Sequence, residues 1–162
     1  MKANEIKGLA VVSIADGAKL GHVDELYFDT QDMRLAAVRV ANNEQQAILP
    51  FDQIRSVGKD AVTVPSNEVT QGTTGKALTT GLSSLGSISK LRVVDEAGTL
   101  LGTVTGLDLD PGNGHITEVQ AHRGGHFGLG GTSVHVPGRA IRSIGAEIMM
   151  VVTEAPINPP TQ

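Results

Sequence analysis

The amino-acid sequence predicts an all-β (mainly β) fold made of two small barrels in tandem, with short helical turns. Three observations carry that expectation. The chain repeats itself once, at a spacing that suits a whole small domain. Each copy holds five or six short apolar, β-branched stretches separated by turn residues, and no long helical pattern. In each copy one strand also breaks its two-residue period at the same place, as a strand does where a barrel has to curve.

The repeat starts with Ile6-Lys7-Gly8-Leu9-Ala10-Val11-Val12-Ser13, which matches Ile88-Ser89-Lys90-Leu91-Arg92-Val93-Val94-Asp95 at an offset of 82 residues. One residue is lost in the following turn. The offset of 81 then pairs Gly17 with Gly98, Leu20 with Leu101, Gly21 with Gly102, Val23 with Val104, Leu26 with Leu107, Asp29 with Asp110 and Val38 with Val119. After a six-residue insertion in the second copy, the offset of 87 pairs Pro50, Ile54, Arg55, Ser56 and Gly58 with Pro137, Ile141, Arg142, Ser143 and Gly145. This divides the chain into a first barrel over 1–64, a connection over 65–87, a second barrel over 88–154 and a tail over 155–162. The connection is rich in Ser, Thr and Gly, the composition of a flexible linker. Its Ala77, Leu78, Leu82, Leu85 and Ile88 recur near a helical period, which leaves a short helix packed on a barrel as the other reading. The proline-rich tail is expected to be disordered.

The elements follow in order. Leu9 to Ile14 reads as a strand, closed by the turn residues Asp16-Gly17. From Gly21 runs a second strand whose apolar positions Val23, Leu26 and Phe28 include a step of three, the mark of a bulge; Val104, Leu107 and Leu109 repeat it. Turns at 29–32 and 110–114 lead into strands over 34–40 and 115–121. Pro50 and Pro137 lack an amide donor, so each is expected at a strand end. One helical turn is expected over 51–55 and again over 138–142, with closing strands over 62–64 and 148–152.

Composition narrows the function. A net charge of −4 argues against a nucleic-acid partner, since phosphate binding needs a basic face. One Tyr and three Phe are too few for a base-stacking platform. The absence of cysteine removes disulfides, thiolate metal sites and cysteine nucleophiles. No apolar run suits a signal peptide or a membrane span, so the expected location is cytoplasmic.

Several constellations carry two readings each. His122, His126 and His135 are the candidate metal ligands, set against a solvated glycine-rich loop that lacks the helix on which a spacing of four converges. Asp24, Glu25 and Asp29 form a candidate acid–base group, yet only Asp29 recurs, as Asp110, and an aspartate opening a turn accepts backbone amides. Ser13 and Ser133 have no nucleophile-elbow context. Gly128-Leu129-Gly130-Gly131 lacks the lysine of a phosphate cradle. Arg55 and Arg142 recur at one place, either closing a helical turn at its negative end or meeting a partner. His126, Phe127 and Leu129 join these two arginines as candidate partner contacts.

The string Asp-Gly-x-x-Leu-Gly-x-Val-x-x-Leu, followed by Asp, a turn, a strand and then Leu-Pro or Val-Pro with a helical turn, resembles the PRC-barrel family. Gly17, Gly21, Asp29 and Pro50 carry the signature in the first copy, and Gly98, Gly102, Asp110 and Pro137 carry it in the second. The first copy departs in its short loop Asn42-Asn43-Glu44-Gln45, where the second has the glycine-rich connection common in that family. The resemblance implies an adaptor related to the cytoplasmic part of the reaction-centre H subunit and to the C-terminal domain of a ribosome maturation factor, and to many bacterial and archaeal proteins. It implies docking onto another protein or assembly, with no cofactor and no catalytic residues to transfer, and hence a non-enzymatic role. The alternatives are a ribosome- or RNA-processing accessory factor, which a basic stripe would favour, and a small-ligand or metal-binding protein acting through the Gly/His loop. A barrel of about 65 residues is marginal alone. The two are therefore expected to pack on each other, or the chain to form a homodimer.

Overall fold

The computed structural model describes residues 1–70, 76–124 and 131–152 of the 162. A single turn of helix, α1 (Ala3–Ile6), leads into β1 (Ala10–Ser13), β2 (Lys19–Asp29), β3 (Arg34–Ala41), β4 (Gln46–Pro50), β5 (Ser56–Val57) and β6 (Ala61–Val64). Ser83–Ser84 (β7) and α2 (Leu85–Ile88) lead into β8 (Arg92–Asp95), β9 (Leu100–Leu109), β10 (Ile116–Gly124), β11 (Gly131–Pro137), β12 (Ile141–Ile144) and β13 (Ile148–Val151).

The two sheets have one topology. Strands run β4-β3-β2-β1-β6-β5 in the first and β11-β10-β9-β8-β13-β12 in the second. The meander is antiparallel, and the last long strand returns to lie parallel to the first, β6 on β1 and β13 on β8. The two outer strands of each sheet are consecutive in the chain, joined by a 3-10 turn over Phe51–Gln53 or Gly138–Ala140. That short connection holds the sheet's ends together and curls it around its core. Both prolines stand where expected, as the last residues of β4 and β11.

The breaks in period are bulges. Val23 faces Val40 and Glu25 faces Arg39, leaving Asp24 unopposed; Val104 faces Ala121 and Gly106 faces Gln120, leaving Thr105 unopposed. The extra residue bends β2 and β9 and turns Leu26, Phe28, Leu107 and Leu109 inward, where each is at most 1% exposed. Gly21 (φ +154°) and Gly102 (φ +149°) sit before the bulges. A Cβ there would lie 2.4 Å from the Ala41 carbonyl oxygen or 2.7 Å from the His122 carbonyl carbon, so the strands approach as they do only because no side chain intervenes.

The barrels are joined by a reciprocal exchange of backbone. Ser83–Ser84, just ahead of the second barrel, pairs with Phe28 and Tyr27 on β2 of the first. Lys2, just ahead of the first barrel, bridges to Asp108 on β9 of the second. The Leu109 amide donates to the Met1 carbonyl at 2.8 Å, and the Met1 nitrogen donates to the Leu109 carbonyl at 3.1 Å. Nearer the centre, the Leu35 amide donates to Gly114 (2.8 Å) and the equivalent Ile116 amide to Met33 (2.9 Å). Arg34 bridges to His115, its own counterpart in the repeat, so a pseudo-twofold axis passes between them. Most of the buried apolar residues of both barrels form one cluster.

The second unit thus takes shape from Ser83, inside the span whose composition reads as linker. Ser84 caps α2 by accepting the Ser87 amide, and Leu85 and Ile88 are buried. Serine and glycine there act as a cap and a tight turn rather than as flexible chain. Two 3-10 turns, Asn67–Thr70 and Lys76–Thr79, lie in the same span. The tail over 155–162 lies outside the described residues.

Because the two cores are continuous and the seam is backbone-paired, heating is expected to give one transition, with calorimetric and van't Hoff enthalpies equal; two resolved transitions in scanning calorimetry would contradict this. Gly102→Ala is expected to lower stability by about 2–4 kcal/mol through the clash with β10. Gly98→Ala, at φ +83° with open space around it, is expected to cost only about 1 kcal/mol. Guanidinium unfolding curves measure both.

Candidate functional site

The residues singled out in the sequence fall into three groups. The signature residues are structural. Asp29 accepts the Gln31 and Asp32 amides at 2.9 and 3.1 Å, and Asp110 accepts the Gly112 amide at 2.8 Å, so both open turns. Arg55 and Arg142 are exposed at equivalent places, each just past the residue that ends its 3-10 turn. Arg142 Nη1 lies 3.5 Å from the Arg139 carbonyl, at the limit of a hydrogen bond to the preceding turn. His126, Phe127 and Leu129 lie outside the described residues.

His122 and His135 stand on adjacent strands, on the outward face of the β10–β11 ribbon. His122 Nδ1 meets the Ser133 hydroxyl at 3.1 Å and His135 Nδ1 meets Glu118 Oε1 at 2.8 Å. Those bonds hold the two rings to different neighbours, two rungs apart in the register. Among the described residues no three His, Cys, Asp or Glu side chains converge as a metal site.

The structure shows two polar knots that sequence reasoning did not assemble. In the first barrel, Arg39 Nε donates to Asp24 Oδ1 at 2.6 Å and its Nη1 to the Tyr27 hydroxyl at 3.1 Å. The bulge aims Asp24 across the sheet at β3, and the hydrogen bond to its carboxylate, with its charge behind it, raises the Arg39 pKa above the ordinary arginine value. In the second barrel Gln120 takes the place of Arg39. Its amide donates to Glu118 at 2.7 Å and Asp108 at 3.1 Å, while His135 shares Glu118. The hydrogen bond from His135, and then that from Gln120, holds the Glu118 carboxyl below the ordinary glutamate value. The cue to the first knot was the turn at 29–32, which brings β3 back along β2 so that Arg39 faces Glu25 with the bulged Asp24 beside it. Nothing in the sequence placed Glu118 beside His135.

The hollows on the surface are open and shallow in chemistry. One of about 230 Å³ lies between β2, β3 and the 67–70 turn, lined by Lys19, Asn42, Gln45 and Asn67 among others. Another of about 400 Å³ lies beside β8 and β13, with Lys90, Arg92 and Glu147 at its rim. No helix among the described residues is long and apolar enough to cross a membrane.

The lowered Glu118 pKa gives a signed expectation. A depressed carboxylate stabilises the fold above its unfolded pKa and loses that contribution as pH falls through the lowered folded value. Glu118→Gln is therefore expected to be destabilising by about 0.5 kcal/mol or less near neutral pH, since the pair is half-exposed. The difference from the unchanged protein is expected to vanish in acid, as followed by thermal melts across pH.

No curated protein matches the sequence. The family model of the PRC-barrel domain matches twice, over residues 1–71 and 82–155. These two stretches coincide with the two curled sheets and include the glycines, turn aspartates and strand-ending prolines that shape them, so the chain belongs to the PRC-barrel domain family as a tandem of two such domains.

Proposed function

We propose that the chain is a non-enzymatic docking module in the cytoplasm, a rigid pair of barrels that holds another protein or assembly. The observation that carries this reading is the unequal surface laid over an equal frame. Glycines, bulges, turns and seam bonds recur in both barrels, whereas many outward side chains differ between matched positions: Arg39 against Gln120, Tyr27 against Asp108, Lys19 against Leu100, and a four-residue loop against a glycine-rich one. A scaffold presenting two different faces needs this division between fixed interior and varied exterior. The family lends support, because PRC-barrel domains are in general protein-interaction modules. β11 adds a further feature, since among the described residues it ends its sheet with one edge unpaired and with Thr132, Ser133 and His135 exposed.

Affinity purification of the full chain from its native cell, read by mass spectrometry, is expected to recover a protein partner under mild conditions. Arg142→Glu combined with Phe127→Ala is expected to reduce that recovery if the second barrel's insertion loop shares the contact. Recovery of no protein would overturn the docking reading.

A further inference from the structure

We propose that the outer face of β8, β9 and β13 is the docking surface, and that it takes a protein segment whose apolar side chains are followed by carboxylates. This rests on the docking reading above and places its contact on a face that sequence reasoning did not single out.

The face holds an apolar row that the first barrel interrupts with two polar residues. Val94 lies directly between Leu100 on β9 and Met150 on β13, and Ile148 stands two residues from Met150 on the same side. Leu100 is 39% and Ile148 41% exposed, two of the four large apolar residues with that much exposure among the described ones. Val94 and Met150 are half-buried between them. At the matched positions the first barrel carries Lys19, Val12, Thr63 and Ala61. There Thr63 and Ser56 share a hydroxyl hydrogen bond at 2.8 Å, whereas in the second barrel Ser143 faces Met150, which offers it no such partner. The same backbone therefore tolerates Lys19 and Thr63 in the row and only Ala61 in place of Ile148, so Leu100, Met150 and the full Ile148 side chain are not needed to fold the sheet.

The charges depart together with the apolar residues. Arg92 shares the outward side of β8 with Val94, and Lys90 precedes it; the first barrel has Ala10 and Gly8 at those positions. Both cations are exposed, and neither enters an ion pair among the described residues. They border the hollow of about 400 Å³ that continues the row past Ile148, with Glu147 as the one acid at its rim. Glu96 is exposed at the far end, beyond Val94. An exposed apolar row ending in unpaired cations is complementary to an apolar segment ending in carboxylates. Two copies meeting through this face would each bring the same unpaired cations, which argues for a different chain as occupant.

The test uses the full chain and a synthetic peptide with leucines at alternate positions followed by two aspartates, and a control peptide with lysines in place of the aspartates. Methyl NMR is expected to show the acidic peptide shifting the signals of Leu100, Val94, Ile148 and Met150, with the lysine peptide binding at least about tenfold more weakly. Ile148→Ala with Met150→Thr installs the first barrel's own residues and is expected to keep the melting temperature while weakening binding about tenfold. Lys90→Glu with Arg92→Glu is expected to reverse the preference between the two peptides. The proposal is overturned if the acidic peptide leaves those methyls unmoved, if both peptides bind alike, or if the Ile148/Met150 variant binds undiminished. It is also overturned if sedimentation shows concentration-dependent dimers that the same variant abolishes, since a second copy is then the occupant. In native-cell purification, a partner held equally by the unchanged chain and that variant rejects this face and leaves docking standing, whereas no partner on either rejects docking itself.

Discussion

The seam between the barrels is the constraint on which the rest depends. Each barrel's longest strand gives its outer edge to a short segment that belongs, in sequence, to the other barrel: β2 to Ser83–Ser84, and β9 to Met1–Lys2. A sheet of this size buries little, and an exposed edge is a site for unwanted pairing. The exchange removes both difficulties at once, because it covers the edge and makes two small cores into one. The helical turns α1 and α2 follow directly from those edge segments and carry Ile6 and Ile88, at most 1% exposed, into the shared interior.

Within each barrel the equivalent constraint is the close approach of two strands at a glycine. Gly21 and Gly102 let β2 meet β3, and β9 meet β10, at distances a Cβ would forbid, and the bulges one step later take up the curvature this creates. The signature reads as a motif because each of its members answers a local geometric demand. The outward residues answer none, which is why Arg39 and Gln120 differ while Leu26 and Leu107 do not.

Much of the fold was legible in the sequence for that reason. Bulges, turn aspartates, strand-ending prolines and the 3-10 turns that follow those prolines all leave a mark in residue type at a fixed place, and the repeat showed each mark twice. The seam left little. Leu85 and Ile88 stand at a helical spacing that left a short packed helix open as a reading, and α2 is that helix, but two-residue bridges such as Ser83–Ser84 carry no periodicity. Ser84 and Gly86, which read as linker composition, are a cap and a half-buried turn residue. The polar knots were hidden for a related cause, since they join residues 12 to 17 positions apart whose meeting depends on register and bulge together. The apolar row Leu100, Val94, Met150 was hidden because its members come from three strands and alternate with core residues, so that each looks like ordinary barrel interior.

The bridge between Arg34 and His115 marks the point where the chain meets itself across its axis. Had the two barrels been separate identical molecules, one residue type would have had to face its own copy there, and every change would have fallen on both sides at once. Joining them in a single chain frees the two positions to vary separately. An arginine can then stand against a histidine, and the same freedom extends to every matched pair on the surface. Covalent linkage thus turns a symmetric object into one with a distinguishable front and back.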